Sequence, residues 1–160
     1  MSAGGEPLTL FVPWPRLPTL TPTGKVSLAK TAGKPVPWLS ANVVSGMHHR
    51  KHKEIVACWR EMAAQALRQH FLAGGTAWTG NYPVMLDFLL QKRTAANMDP
   101  YAVLEGAKNC IDGLIDRIVD GIKLPGLFPD DNDNYVRGGT ALARKGDPLG
   151  LYVRVTEWHE

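Results

Sequence analysis

Cysteine is scarce in this sequence: there are two in 160 residues, Cys58 and Cys110, each inside a helix-like apolar pattern. That excludes a disulfide framework and fits a reducing compartment. No apolar run approaches the ~20 residues of a membrane-spanning helix, and the first residues lack the charged-then-apolar pattern of a secretory signal. The expectation is a soluble cytoplasmic protein with no membrane partner. Acidic residues are sparse in the first half. Residues 1–80 hold nine Lys or Arg against three Asp or Glu, a balance of +6, whereas residues 81–160 hold nine against twelve, or −3. The remaining composition, 44% hydrophobic and 21% charged, is that of an ordinary globular chain. A chain of this length buries roughly two-thirds of its unfolded surface, so it needs neither metal nor disulfide to fold, and 1–160 reads as a single domain. A basic half and a carboxylate-rich half suit a protein that grips a polyanion and holds a divalent cation. The same asymmetry also arises by chance in small proteins.

Leu8 to Pro15, "LTLFVPWP", alternates, is rich in branched and aromatic residues and stops at prolines, which predicts a first strand. Residues 16–46 are rich in Pro and Gly and read as a long loop. From about Ser45 to Leu72 the spacing turns helical, with Ile55, Cys58, Trp59, Met62, Ala66 and Phe71 near one face and Gly74-Gly75 as the stop. Tyr82 to Gln91 is a largely apolar run, which predicts a strand of a covered sheet. Asp99-Pro100 offers an N-cap with proline at the first helical position, and the pattern continues through Ile118, with an end expected before Gly121 to Pro125. "YVRGGTALAR" and "LGLYVRVTE", joined by a turn around Lys145 to Pro148, read as a hairpin. The order β-α-β-α-β-β predicts an α/β (α+β) fold, a single mixed sheet packed against two helices.

Three groups of residues could carry chemistry. Asp130, Asp131 and Asp133 lie with Asn132 and Asn134 in one short stretch. Adjacent carboxylates repel, and oxygen ligands without His or Cys select Mg²⁺ or Mn²⁺; Asp and Asn are equally the residues of a solvated turn. Glu105, Lys108, Asp112 and Asp116 recur at three- and four-residue spacing, one face of the second helix. That is either a lysine held among carboxylates or an exposed ion-pair ladder. His48 to Lys53 opens the first helix with cations, an unfavourable place for them on dipole grounds and a favourable one for binding phosphate.

Taken together, "LTLFVPWP", "SANVVSGMHHRKHKEIVACWREMA", "DPYAVLEGAKNCIDGL", "GLFPDDNDNYV" and "YVRVTE" resemble the RusA-like Holliday junction resolvases, particularly those of actinobacterial phages. The resemblance spans nearly the whole chain. It implies a RusA-like fold and a homodimeric, Mg²⁺-dependent (or Mn²⁺-dependent) endonuclease that nicks branched DNA in recombination, repair and replication within a bacterial host cell. Carried over, Asp99 and Asp131 match catalytic, metal-binding aspartates, Asp130 is the adjacent acid and Lys108 matches the catalytic lysine. His49, Arg50, Lys51, Lys53 and Arg60 would grip DNA. The family's second aspartate and its asparagine are replaced by Tyr101 and Ala102, leaving Glu105, about one turn further on, or Asn97, in the preceding loop, as a substitute ligand. An alternative of another class is a RusA-like binding protein without nuclease chemistry. Pro7 with Leu8, Leu10 and Phe11 resembles peptides that dock on a bacterial sliding clamp, and the same alternation is explained by a first strand.

Overall fold

The cleanest period-two alternation in the chain builds the middle of the sheet. In Gly150–Glu157 the side chains of Leu151, Val153 and Val155 are buried, whereas Tyr152 and Thr156 are half-buried and Arg154 is exposed. Such a strand needs neighbours on both sides, and it has them. The computed structural model describes residues 5–16, 34–40, 47, 49–95 and 97–159. Its elements are β1 (Leu8–Pro13), α1 (His49–Leu72), β2 (Val84–Lys92), α2 (Pro100–Ile111), β3 (Arg117–Val119), β4 (Ile122–Leu124), β5 (Ala141–Lys145) and β6 (Gly150–Glu157). The main sheet has the order β1-β6-β2-β5, and β3 and β4 form a separate two-stranded sheet. The fold is mixed α+β, with a mixed sheet and two helices, as the sequence predicts.

β6 is antiparallel to both β1 and β2, and β5 is parallel to β2. The register sets Leu10 and Phe88 against Val153, and Val12 and Leu90 against Leu151, so one face of the sheet is a continuous apolar layer. α1 covers it with Ile55, Trp59, Ala63 and Leu67, spaced by four, and α2 with Val103, Ala107 and Cys110. None of the described helices is long and apolar enough to cross a membrane.

Three expectations are corrected. The segments of β5 and β6 are not a hairpin, because β2 lies between them. β6 carries larger apolar side chains that bury on a central strand, and β5, with Ala141 and Ala143, takes the edge beside β2. The second helix does not reach Ile118; it ends at Ile111, because Asp112 caps it and the chain turns at Gly113. A hairpin not foreseen follows, with Asp120 (φ 51°) and Gly121 (φ 77°) at its tip. Two positive φ values are the signature of a type I′ turn, for which Asp-Gly is a favoured pair.

The expected loop at 16–46 is only partly a loop. Among its described residues, Val36, Trp38 and Leu39 are core. The indoles of Trp14, Trp38 and Trp59 meet at centroid distances of 4.8–6.2 Å, and each N–H is satisfied by a carbonyl: Val36 (2.7 Å), Ala102 (2.9 Å) and Pro37 (2.9 Å) respectively. Residues 17–33 and 41–46, where the rest of the loop and the expected start of the first helix fall, lie outside the described residues.

Candidate functional site

The end of α2 is where charged side chains converge. Lys108 and Asp112 stand four residues apart, one helical turn, and the Asp112 N–H donates to the Lys108 carbonyl at 3.1 Å. The helix stops here because Gly113 follows: a Cβ at that position would collide with the carbonyl of Arg60 on α1 and crowd Ala63. That contact, open only to glycine, brings Arg60 beside Asp112.

The fourth member comes from the acidic turn. Asp130 is consumed by the turn itself, its carboxylate accepting from the Asp131 N–H (2.8 Å) and the Asn132 amide (3.0 Å). Asn132 accepts from the Asn134 N–H at 3.0 Å through its side chain and from the N–H groups of Tyr135 and Val136 through its carbonyl. The turn is pinned to the start of β2, where the Val84 N–H donates to Tyr135 at 2.7 Å and the Arg137 N–H to Val84 at 2.8 Å. Asp131 is thereby held near enough to Asp112 for its charge to act there. Burial and the Asp131 charge push the Asp112 carboxyl above the ordinary carboxylate range, and Lys108 and Arg60 pull against that shift. Two half-buried carboxylates thus lie within electrostatic reach of two exposed cations.

The other sequence-predicted residues fall elsewhere. Asp99 caps the start of α2, accepting from the Tyr101 N–H at 2.8 Å. At 1.5 Å per residue it lies about 20 Å along the helix axis from Asp112, and exposed Glu105 about 10 Å. Neither is placed to share a cation with the Asp112–Asp131 pair. Tyr101, 74% exposed at the far end of the helix, does not crowd that pair. Asp116 is spent on structure, accepting from the Gly126 N–H (2.6 Å) and lying 3.9 Å from Lys123. His49, Arg50, Lys51 and Lys53 are exposed on the opening turns of α1. Leu8 and Leu10 pack with the core and Phe11 lies on the opposite face beside Tyr152, at a ring-centroid distance of 4.7 Å. β1 is paired along its length with β6, so presenting this segment as a docking peptide would mean unzipping an edge strand.

Asp112 is the residue that sequence reasoning underweighted. Its signal was the Lys108-Asp112 spacing followed by glycine, which is indistinguishable from an ion-pair ladder until Arg60 and Asp131 are set beside it.

Among the described residues, no three His, Cys, Asp or Glu side chains are grouped to hold a metal ion. Two neighbouring carboxylates nevertheless fit the chemistry of Mg²⁺, which keeps several waters and is commonly held by one or two carboxylates together with substrate phosphate. Comparison of the chain with protein-family models, with curated proteins and with solved structures finds no match.

Proposed function

We propose that the chain is a RusA-like, Mg²⁺-dependent endonuclease of branched DNA, with Asp112 and Asp131 as its metal-binding carboxylates. The observation that carries the reading is the Asp112–Asp131 pair with Lys108 and Arg60 around it. A carboxylate pair at a cost in mutual repulsion, next to two cations, is the arrangement that metal-assisted phosphodiester hydrolysis needs.

In this reading Asp112 and Asp131 hold the cation between α2 and the acidic turn. When bound, the cation supplies charge neutralisation at the scissile phosphate and a more acidic water. Lys108 presents its ammonium from the same helical turn and offsets the negative charge that grows on the phosphate oxygens, and Arg60 does so from α1. Asp130 holds the turn that aims Asp131. His49, Arg50, Lys51 and Lys53 contribute backbone contacts that set affinity more than sequence preference. Homodimerisation belongs to the same proposal. Leu142 on the sheet's helix-free face and Ile118 and Ile122 on the small hairpin are 62–77% exposed, and a second copy would cover such side chains.

The test is a labelled four-way junction incubated with Mg²⁺ or Mn²⁺ and the wild-type protein or Asp131→Asn. Metal-dependent nicks that the substitution abolishes support the nuclease. Tight binding without nicks in either metal assigns the chain to DNA binding alone.

A further inference from the structure

A second charged site lies at the other end of β2 from the acidic turn. β1 and β2 are both antiparallel to β6, and β5 is parallel to β2, so β1, β2 and β5 finish at the same end of the sheet. Two adjoining cavities open there. One, of ≈470 Å³, is lined by Lys92, Arg93, Lys145 and Asp147; the other, of ≈260 Å³, by Trp14, Arg16 and Pro35; Arg93 and Leu149 wall both. Sharing that wall, they make one groove with a cationic half, three basic side chains against the Asp147 carboxylate, and an aromatic half where Trp14 lies with Arg16.

The groove is built in advance of any ligand. Its floor is tied by the Trp14 N–H to Leu149 (3.0 Å) and the Gly146 N–H to Lys92 (3.2 Å). The turn beyond is braced by the Gln91 amide donating to Pro148 at 2.8 Å. Lys92 is 7% exposed, and its ammonium donates to the Thr94 carbonyl at 2.9 Å. The Trp14 ring is fixed by its N–H bond to Val36 and by the edge of Trp59 at 5.2 Å. A rigid indole beside a row of cations matches a nucleotide whose base is out of the double helix, with phosphate on the basic side and base on the ring. Buried duplex bases have no free face to offer.

We propose that this groove is a subsite for single-stranded DNA, taking the unpaired strand at a branch point. The choice of DNA rests on the nuclease reading. The groove itself is separate from the Asp112–Asp131 pair, so its test needs no metal and no cleavage.

The test is fluorescence anisotropy of labelled dT12 in EDTA, across a salt series, with wild-type protein and the Arg93→Ala/Lys145→Ala double variant. Both side chains are exposed, and matched circular dichroism and Tm confirm the fold. The double variant should bind dT12 at least tenfold more weakly, with a salt slope smaller by about 1.4 if both phosphate contacts are lost, while a blunt 12-base-pair duplex loses much less. Equal affinity and slope for dT12 would overturn the proposal, as would an equal loss for the duplex. So would full displacement of dT12 by inorganic phosphate at millimolar concentration. Asp131→Asn should bind dT12 like the wild type. If the wild type nicks no junction in either metal, the nuclease reading fails while the groove stands or falls on dT12.

Discussion

Asp112 is the residue at which charge, packing and the proposed chemistry meet, and its titration can be read from either direction. Its folded-state pKa lies above the ordinary 3.8, so the native state holds this proton more tightly than the unfolded chain does. Stability from this group is therefore present below pH 3.8 and is lost as pH rises through the raised value. Asp112→Asn should then be more stable than wild type at pH 7, and the gap should close below pH 3.8, as urea unfolding at the two pH values will read. Mg²⁺, if held as proposed, would act in the opposite sense. At ten times its Kd it should stabilise the wild type by about 1.4 kcal/mol at pH 7, and do nothing for Asp131→Asn. Lys108→Met should leave folding intact and reduce junction cleavage on the order of 10²–10³-fold, the usual effect of removing one charge-stabilising group.

At the scale of elements, the end of α2 depends on a single missing side chain. Gly113→Ala drives a methyl into the Arg60 carbonyl and should destabilise the protein by about 1–3 kcal/mol, the usual cost of overpacking, with cleavage falling as Arg60 and Asp112 separate. The tryptophan cluster joins four segments distant in sequence, and Trp59→Ala should cost about 3–5 kcal/mol in chemical denaturation. These contacts also explain what the sequence conceals. The helical periods of α1 and α2 and the alternation of β1 and β6 are local, and the residues that form those elements announce them. The burial of Val36, Trp38 and Leu39 is not local: it is decided by Trp14 and Trp59, many residues away in either direction. The place of β5 is likewise settled by competition for the free edge of β2, which no turn signal between β5 and β6 encodes. Asp120-Gly121 was a legible hairpin signal, hidden by a helical pattern that continued in register through Leu114, Ile115 and Ile118.

Over the whole molecule, charge is segregated in space, but not by the halves of the sequence, since Lys92, Arg93 and Lys145 come from the acidic half. Carboxylates gather at the acidic turn beside the start of β2 and at the end of α2, and cations gather at the opening of α1 and at the far end of the sheet. If the α1 cations contact phosphates, Lys51→Ala/Lys53→Ala should flatten the salt dependence of duplex binding by about 1.8 in log–log slope, without changing preference among sequences. The family resemblance groups Asp99 with Lys108 and Asp131; matching by motif does not register that the helix sets Asp99 about 20 Å along its axis from Asp112.

The central claim is that Asp112 and Asp131 together hold the metal for strand cleavage. The most direct measurement is the cleavage rate of a labelled four-way junction in Mg²⁺ by the wild type, Asp112→Asn, Asp131→Asn and Asp99→Asn, each first shown to bind the junction in EDTA. The account predicts that the first two substitutions abolish nicking and that Asp99→Asn retains most of it. Nicking lost in Asp99→Asn and undiminished in Asp112→Asn would contradict it.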